Sequence, residues 1–264
     1  TAAVRDGDDY VLNGSKIWTT HAQWADMIFC LVRTSREGKH QEGISFIIFP
    51  MTLPGIKISP LPTLDGPAEG AQEINQVFFE DVRVPIAEAL VGEENKGWTY
   101  AKYLLQFERG NAYAPGLRAM LNKARKVASV EEADGEALIR DTDFARKMAQ
   151  LEIKIDSLDA TEQRIFSALS AGQAVGPESS MLKCAGSETQ QAITELVVEA
   201  AGTYGAPFVR DNFALAREGA NADLPFPSYS VTAVPSYLNY RKTSIYAGSN
   251  EIQRNIMAKM VLGL

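Results

Sequence analysis

Cysteine and histidine are both scarce in this 264-residue sequence, which contains two of each. Because Cys30 and Cys184 lie far apart along the chain, neither a disulfide framework nor a structural zinc site is expected. His21 and His40 leave almost nothing for a histidine-rich metal centre or a histidine-based catalytic triad. We therefore expect no metal site, and a reducing compartment, the cytoplasm, fits best.

Long apolar runs and an excess of basic residues are also missing. No stretch approaches the roughly 18 apolar residues that a membrane span requires, and no signal peptide is expected. The chain carries 26 Lys and Arg against 33 Asp and Glu, which gives a formal net charge of -7. An acidic chain of this kind is not expected to bind nucleic acid. The composition predicts a globular protein with no membrane span.

Short strand-like runs dominate the first 90 residues, where β-branched and aromatic residues alternate with turn signals. Closely spaced short strands predict an antiparallel barrel-like or sandwich domain over residues 1–90. Asn13-Gly14 is predicted as a two-residue hairpin turn. The runs are Tyr10 to Leu12, Met27 to Arg33, Gly43 to Phe49, Ile56 to Ile58 and Gln76 to Phe79.

The apolar spacing becomes helical after Pro85, so a domain boundary is expected at Ile86 to Gly92. Residues 91–264 are predicted to form an all-α, up-down helical bundle, which makes the fold class α+β by segments. One helix should carry the apolar residues from Phe144 to Leu169 at intervals of three and four.

Further helix limits are indicated by local signals. Pro177 should lie in the first turn of one helix that ends at Gly202, and Ser249 should be the N-cap of the last helix. The segment from Arg210 to Tyr237 contains several prolines and little periodicity, so a long irregular excursion is predicted.

The stretch from Trp98 to Gly116 is predicted to be a helix around which the chain is organised. Its apolar residues, including Ala101, Leu104 and Leu105, keep helical spacing, and Glu108 falls in the same stripe. A buried glutamate must be paired with a cation, neutralised by a proton or used in the function of the protein. Burial also raises its pKa toward that of a general base. The alternative is a structural glutamate paired with Arg109 or lying at a helix interface.

Three stretches carry a resemblance to a known family. Tyr10 to Thr20 (YVLNGSKIWTT) ends in W-x-T, Phe79 to Val91 (FEDVRVPIAEALV) precedes Asn95-Lys96-Gly97, and Ser244 to Arg254 reads SIYAGSNEIQR. In this order they resemble the middle and C-terminal domains of the acyl-CoA dehydrogenases, flavoenzymes that desaturate acyl-CoA thioesters between Cα and Cβ. Within the family, the chain is most similar to the large-subunit type named for pimeloyl-CoA.

The resemblance implies FAD as the cofactor. Trp18 would shield one face of the isoalloxazine, and Thr20 would bond near N5; a core aromatic and a strand threonine are the alternative. Ser249 and Glu251 match positions at the FAD, although a plain helix N-cap explains them equally well. Gly202 and Gly205 would approach the FAD of a neighbouring subunit, or they simply close a helix.

The resemblance also implies the substrate contacts and the base. Tyr246, Gly248 and Arg109 would contact the acyl-CoA, with Arg109 at the pantetheine portion or, alternatively, in a surface salt bridge. Many members carry the catalytic glutamate directly before the glycine that corresponds to Gly248, where this chain has Ala247. A minority carry it in an E-R pair on the first bundle helix, which implies that Glu108 is the base.

The implied activity is FAD-dependent α,β-dehydrogenation of an acyl-CoA to a trans-2-enoyl-CoA, with electrons passed to electron transfer flavoprotein. A homo-oligomer (dimer or tetramer), or a hetero-oligomer with a small subunit, is expected. The alternatives are an acyl-CoA oxidase and a non-catalytic fragment or assembly partner.

The chain departs from the family pattern in three places. The N-terminal helical domain and the first middle-domain segment are missing before Thr1, so processing or a longer protein is expected. Arg140 to Arg146 (RDTDFAR) does not reproduce the family's R-x-x-F-G motif. The segment from Arg210 to Tyr237 is expected to reshape the pocket or an interface.

Overall fold

The computed structural model describes residues 1–66, 72–108, 112–174, 176–207, 209, 224 and 226–264, with the backbone alone at 106–108. These residues form two compact units, one of Thr1–Thr63 and Pro67–Phe107, the other of Leu64–Gly66 and Glu108–Leu264. The domain boundary expected near residue 90 stays a prediction.

The first unit is built on one six-stranded sheet. Its order is β4-β3-β1-β2-β6-β5, and neighbouring strands are antiparallel except β1 and β3, which pair in parallel through Ala2 and Arg33. The expected β domain is confirmed, although the described sheet is open, with β4 and β5 at its edges, and does not close into a barrel. The strands are β1 (Ala2–Asp6), β2 (Asp9–Thr20), β3 (Met27–Arg33), β4 (Ile44–Pro50), β5 (Ile56–Pro60) and β6 (Ile74–Pro85).

The hairpin turn expected at Asn13-Gly14 is wrong. Strand β2 continues through these residues, and its register against β6 shifts between Leu12 and Gly14. The Asn13 amide donates to the Asp81 carboxylate at 2.8 Å and accepts from the Asp81 backbone N–H at 3.0 Å. Asparagine and glycine suit a bulge as well as a turn, and only pairing with the distant β6 distinguishes the two.

The core of the first unit follows from the strand period of two. Alternate strand residues point to one face of the sheet and bury their side chains there, and Ala22, Met51 and Ala89 from the connecting segments pack against them. The buried set is Ala3, Tyr10, Leu12, Ala22, Cys30, Val32, Ile47, Phe49, Met51, Val77, Phe79, Val82, Val84 and Ala89.

Two helices follow the sheet, α1 (Ile86–Ala89) and α2 (Gly97–Glu108). A ring of hydrogen bonds attaches the start of α2 to the sheet. The Asn95 backbone N–H donates to Ser45 Oγ at 2.8 Å, Ser45 Oγ and Thr34 Oγ1 are 2.7 Å apart, and Thr34 Oγ1 donates to Asn95 Oδ1 at 2.7 Å. The Thr34 hydroxyl donates to Asn95 Oδ1, with the Gly43 carbonyl as a longer second acceptor at 3.3 Å. Ser45 therefore donates to Thr34, and the three bonds form a closed cycle.

Close backbone contact completes this attachment. A Cβ at Gly97 would lie 2.5 Å from the Phe46 backbone nitrogen, so only glycine allows α2 to begin directly against β4. Asn95 has a φ of 64°, a left-handed conformation that asparagine tolerates better than most residues.

The single helix predicted from Trp98 to Gly116 is wrong, because α2 ends at Glu108 and α3 begins at Ala114. Pro115 lies in the first turn of α3, where its missing N–H costs nothing, whereas inside one continuous helix it would break the bond to residue 111. Of the expected buried stripe, Ala101 is buried, but Leu104 and Leu105 are 38% and 43% exposed.

The second unit is helical, as expected. Its long helices pack around one core drawn from α3, α4 and α5, with a contribution from α7. The elements are α3 (Ala114–Val130), β7 (Glu132–Ala133), β8 (Glu136–Ala137), α4 (Thr142–Ser170), α5 (Glu178–Ala201), α6 (Ser228–Val231), α7 (Ala233–Asn239) and α8 (Asn250–Met257). Short 3₁₀ or π turns occupy Gly202–Gly205, Tyr240–Ser244 and Ala258–Leu262.

Several predictions for the second unit are confirmed. Helix α4 buries Phe144, Met148 and further residues at intervals of three and four, although Leu169 near its end is 37% exposed. Helix α5 begins directly after its N-cap, Pro177, and ends at Ala201, with Gly202 as the C-cap at a φ of 53°.

The irregular excursion expected from Arg210 to Tyr237 is tested only in part. Residues 210–223 and 225 lie outside the described part of the chain. From Ser228 onward the structure is helical and the prediction is wrong, because Pro235 lies in the first turn of α7, where proline is tolerated. Among the described residues, no helix combines the length and apolar character needed to cross a membrane.

Candidate functional site

Trp18 and Thr20 lie at the C-terminal end of β2. Trp18 has a φ of 63°, rare for a bulky residue, and it falls where the register against β6 is interrupted between Lys16 and Thr19. Its side chain is 66% exposed, so the core-aromatic alternative is wrong. Thr20 is also exposed and pairs with Ile74. The bulge therefore presents an indole ring at the surface of the first unit.

A buried amide cluster holds this strand end. Asn75, fully buried, donates through Nδ2 to the Gln23 side-chain oxygen at 2.6 Å and to the Thr19 carbonyl at 3.3 Å. Gln72 donates to Asn75 Oδ1 at 3.1 Å, and Gln23 donates to the Gln72 carbonyl. These glutamines and Asn75 were not singled out in the sequence, because isolated amides form no local pattern.

Glu108 is the last residue of α2, and its side chain lies outside the described part of the structure. Arg109 also lies outside the described residues. Their roles as base and substrate contact therefore stay predictions.

The stretch from Ser244 to Arg254 forms a turn followed by α8. Ser249 is the N-cap of α8, and its hydroxyl accepts from the Ile252 backbone N–H at 3.4 Å, which confirms the predicted cap. Bonds to its own backbone N–H and to the Ser249 hydroxyl lower the pKa of Glu251, which lies in the first helical turn. Capping thus accounts for both residues without a ligand, and contact with FAD stays a prediction.

The turn before α8 has an unusual backbone. Ala247 and Gly248 adopt φ values of 54° and 79°, so two successive residues are left-handed. Gln253 on α8 donates to the Ala247 carbonyl at 3.1 Å, and a Cβ at Gly248 would lie 2.7 Å from Gln253 Nε2. Tyr246, just before the turn, is 49% exposed. Glycine at 248 is favoured by its φ, whereas the nearby Gln253 amide is the end of a flexible side chain that can move aside.

Behind this turn, Asn250 is 3% exposed and is bound by α5. Its Oδ1 accepts from Lys183 Nζ at 2.8 Å, its Nδ2 donates to Ser187 Oγ at 3.1 Å, and Cys184 Sγ lies 3.6 Å from its carbonyl oxygen. Lys183 is only 6% exposed, and this burial lowers the pKa of its ammonium group. Local sequence patterns could not predict the contact between Lys183 and Asn250, because the two residues are 67 positions apart.

The two candidate glycines differ in their surroundings. A Cβ at Gly202 would meet nothing within 4 Å, so space does not require glycine there. The positive φ of Gly202 is what favours glycine. Gly205 is buried, and a Cβ would lie 3.3 Å from Val234 Cγ2. Gly202 closes α5, as the structural alternative predicts, and an approach to a neighbouring FAD stays a prediction.

No group of three or more His, Cys, Asp or Glu side chains that could hold a metal ion occurs within the described ranges.

Comparison with known proteins identifies the family. The acyl-CoA dehydrogenase middle domain matches residues 1–82, and the acyl-CoA dehydrogenase C-terminal domain matches residues 95–262. The chain belongs to the acyl-CoA dehydrogenase family. The resemblance predicted from its three sequence stretches is thereby confirmed.

Individual relatives agree with this assignment. The chain is 32% identical over 272 residues to acyl-CoA dehydrogenase FadE26 of Mycobacterium tuberculosis, a match that covers 100% of this chain and 63% of FadE26. It is 31% identical to acyl-CoA dehydrogenase IpdE1 of the same organism, with 100% and 62% covered. The chain thus spans less than two thirds of the length of these curated relatives.

Solved structures show the same fold. The ChsE4-ChsE5 complex from Mycobacterium tuberculosis matches with a TM-score of 0.78 and 29% identity, covering 100% of this chain and 64% of that one. Acyl-CoA dehydrogenase from Geobacillus kaustophilus matches with a TM-score of 0.79 and 25% identity, again covering 100% and 64%.

Proposed function

We propose that this chain provides the flavin- and acyl-CoA-binding part of a cytoplasmic acyl-CoA dehydrogenase, which converts an acyl-CoA thioester to a trans-2-enoyl-CoA. Family membership supports the reaction class. The observation that carries the proposal for this chain is the left-handed turn at Ala247 and Gly248, held from behind by buried Asn250. A non-glycine residue held at positive φ, such as Ala247, is costly to maintain, and such residues cluster at active sites and ligand clamps.

The described residues fit FAD as the cofactor. Trp18 offers a large exposed aromatic surface on which a flat ring can stack, and Thr20 provides a hydroxyl two residues further on. Four residues of the second unit are proposed to contact the cofactor, namely Ser249, Glu251, Gly202 and Gly205. The two glycines would do so through backbone that no Cβ obstructs. Bound FAD would supply the acceptor for the hydride that leaves the substrate Cβ.

Glu108 is the proposed base for the proton on the substrate Cα. Ala247 has no group that can accept a proton, so the base is proposed to be a different residue. A thioester Cα–H is weakly acidic, and its removal by a carboxylate requires a water-poor environment with hydrogen bonds to the thioester carbonyl. Arg109 is proposed to bind the pantetheine portion, and Tyr246 and Gly248 to border the acyl group.

Electron transfer flavoprotein is proposed as the acceptor of the two electrons. We also propose that the chain works as an oligomer, either with copies of itself or with a small subunit. One of the similar solved structures is a complex of two proteins, ChsE4 and ChsE5, which supports an assembly of this kind.

The test is a flavin titration of the protein as it occurs in its cell. We expect FAD to copurify in a stoichiometric amount and a panel of acyl-CoAs to bleach it anaerobically with formation of enoyl-CoA, whereas free CoA, which has no acyl group, should not. Absence of flavin, or flavin that no acyl-CoA reduces, would contradict the proposal. Rapid reoxidation by air in preference to electron transfer flavoprotein would identify an oxidase instead.

A further inference from the structure

The buried lysine on α5 is physically unusual. Lys183 is 6% exposed, and among the described residues no carboxylate lies within 4 Å of its ammonium group. Its hydrogen-bond acceptor is the neutral Asn250 side chain, at 2.8 Å. A buried charge without an opposite charge is costly in free energy, and such charges cluster at functional sites.

Lys183 lies behind the N-terminal end of α8, through its bond to Asn250. Asn250 is the first residue of α8, whose N-terminal end carries the positive end of the helix dipole. Lys183 adds a positive charge next to this helix end, where Glu251 is the nearby anion. The ionisable groups that influence it are Cys184 and Glu251, and Glu251 lies on the exposed side of α8.

Lys183 also fixes geometry. Asn250 is joined to α5 through Lys183, Ser187 and Cys184, so the position of the α8 start is set by α5. The left-handed residues Ala247 and Gly248 end only two positions before Asn250. Loss of the α5 contacts would leave this strained turn without support.

We propose that Lys183 is a positioning residue for the flavin site: it holds the turn at residues 246–249 through Asn250, and its buried charge favours an anionic group of the bound cofactor. This inference rests on the proposed function, because it takes residues 246–249 as part of the flavin site. It adds a residue outside the stretch from Ser244 to Arg254, and it assigns separate effects to the hydrogen bond and to the charge of Lys183.

Two substitutions separate these effects. Lys183→Gln keeps an N–H donor for Asn250 but removes the charge, although its side chain is one atom shorter. Asn250→Asp keeps the acceptor for Lys183 and neutralises its charge with an ion pair. We expect both variants to keep the turn ordered and to bind FAD about tenfold more weakly, with a lower midpoint potential of the bound flavin.

Lys183→Met removes both the bond and the charge. We expect it to weaken FAD binding further and to speed hydrogen exchange of residues 244–252 in the apoprotein, a readout that needs no flavin. Lys123→Met is the control, because it makes the same substitution at a lysine on α3 that donates to Thr232, away from the turn. It should leave FAD affinity and the exchange of residues 244–252 unchanged.

Native FAD affinity and exchange in Lys183→Met would overturn the whole inference, whereas native affinity and potential in both Lys183→Gln and Asn250→Asp would overturn the role of the charge. Thermal melting checks that each variant folds. If the native protein binds FAD and is bleached by acyl-CoA while all Lys183 variants behave like it, this inference fails and the proposed function stands.

Discussion

The carboxylate of Glu162, inside α4, accepts a hydrogen bond from the backbone N–H of Ala114 at the start of α3, at 3.1 Å. It also accepts from the Tyr113 backbone N–H. Glu162 is 2% exposed, so a buried side chain satisfies N–H groups that the first turn of any helix leaves unpaired. This contact fixes the beginning of α3 immediately after the interruption that follows Glu108.

Glu162→Ala should destabilise the protein by about 2 to 4 kcal/mol, because buried donors lose their acceptor and a cavity remains. Glu162→Gln keeps an acceptor oxygen and should cost less. The free energy of unfolding from urea denaturation measures both. Glu152→Ala on the same helix is the control, since its exposed ion pair with Arg125 should contribute less than about 1 kcal/mol. Equal losses at 162 and 152 would contradict the capping role.

The ring of Thr34, Ser45 and Asn95 should stabilise the first unit and hold the start of α2. Asn95→Gly keeps the left-handed backbone but removes the closer of the two acceptors of the Thr34 hydroxyl, and it should cost about 1 kcal/mol. Asn95→Asp keeps both features and should stay near the native stability. Asn95→Ala loses both and should be the least stable of the three, as measured by thermal unfolding. A native melting temperature in Asn95→Ala would contradict the ring.

Trp18 should matter for flavin binding and not for folding. Trp18→Gly relieves an unfavourable φ and removes an exposed side chain, so the free energy of unfolding of the apoprotein should change by no more than about 1 kcal/mol. Phe79→Ala in the core, by contrast, should cost about 3 to 5 kcal/mol. FAD affinity should fall sharply in Trp18→Gly. Unchanged FAD affinity would remove Trp18 from the cofactor site.

The buried thiol of Cys30 should make stability fall in alkali. Burial raises its pKa from 9.0 to about 11. Above pH 9 the unfolded chain releases this proton while the folded chain keeps it, so stability is lost as pH rises from about 9 to 11, by roughly 2 to 3 kcal/mol in total. Urea unfolding at several pH values should show a smaller decline in Cys30→Ala than in the native protein. Identical slopes would contradict this account.

Sequence patterns predicted those features that depend on neighbouring residues. The Ser249 cap, the end of α5 at Gly202 and the apolar spacing of α4 are local signals, and the structure confirms them. The predicted turn at Asn13-Gly14 is wrong because a bulge and a hairpin use the same residue types. The helix predicted through Pro115 is wrong because apolar spacing can continue across a break between two helices.

The missed features all depend on contacts between distant residues. Lys183 and Asn250 meet across 67 positions, and Glu162 caps a helix that begins 48 residues earlier. Polar residues inside helical patterns usually indicate exposed faces, so their burial emerges only when the helices pack. The family resemblance supplied Trp18 and Ser249 as site candidates but contained no information about the groups that hold them.

The most direct test of the central claim is the rate at which acyl-CoA reduces the flavin in Glu108→Gln, measured anaerobically in a stopped-flow instrument. The control is Glu88→Gln, which alters an exposed glutamate on α1. We predict that Glu108→Gln binds FAD normally but is reduced at least about a hundredfold more slowly, because the α-proton has no acceptor, while Glu88→Gln reacts at the native rate. Reduction of Glu108→Gln at a rate close to native would show that another group removes the proton.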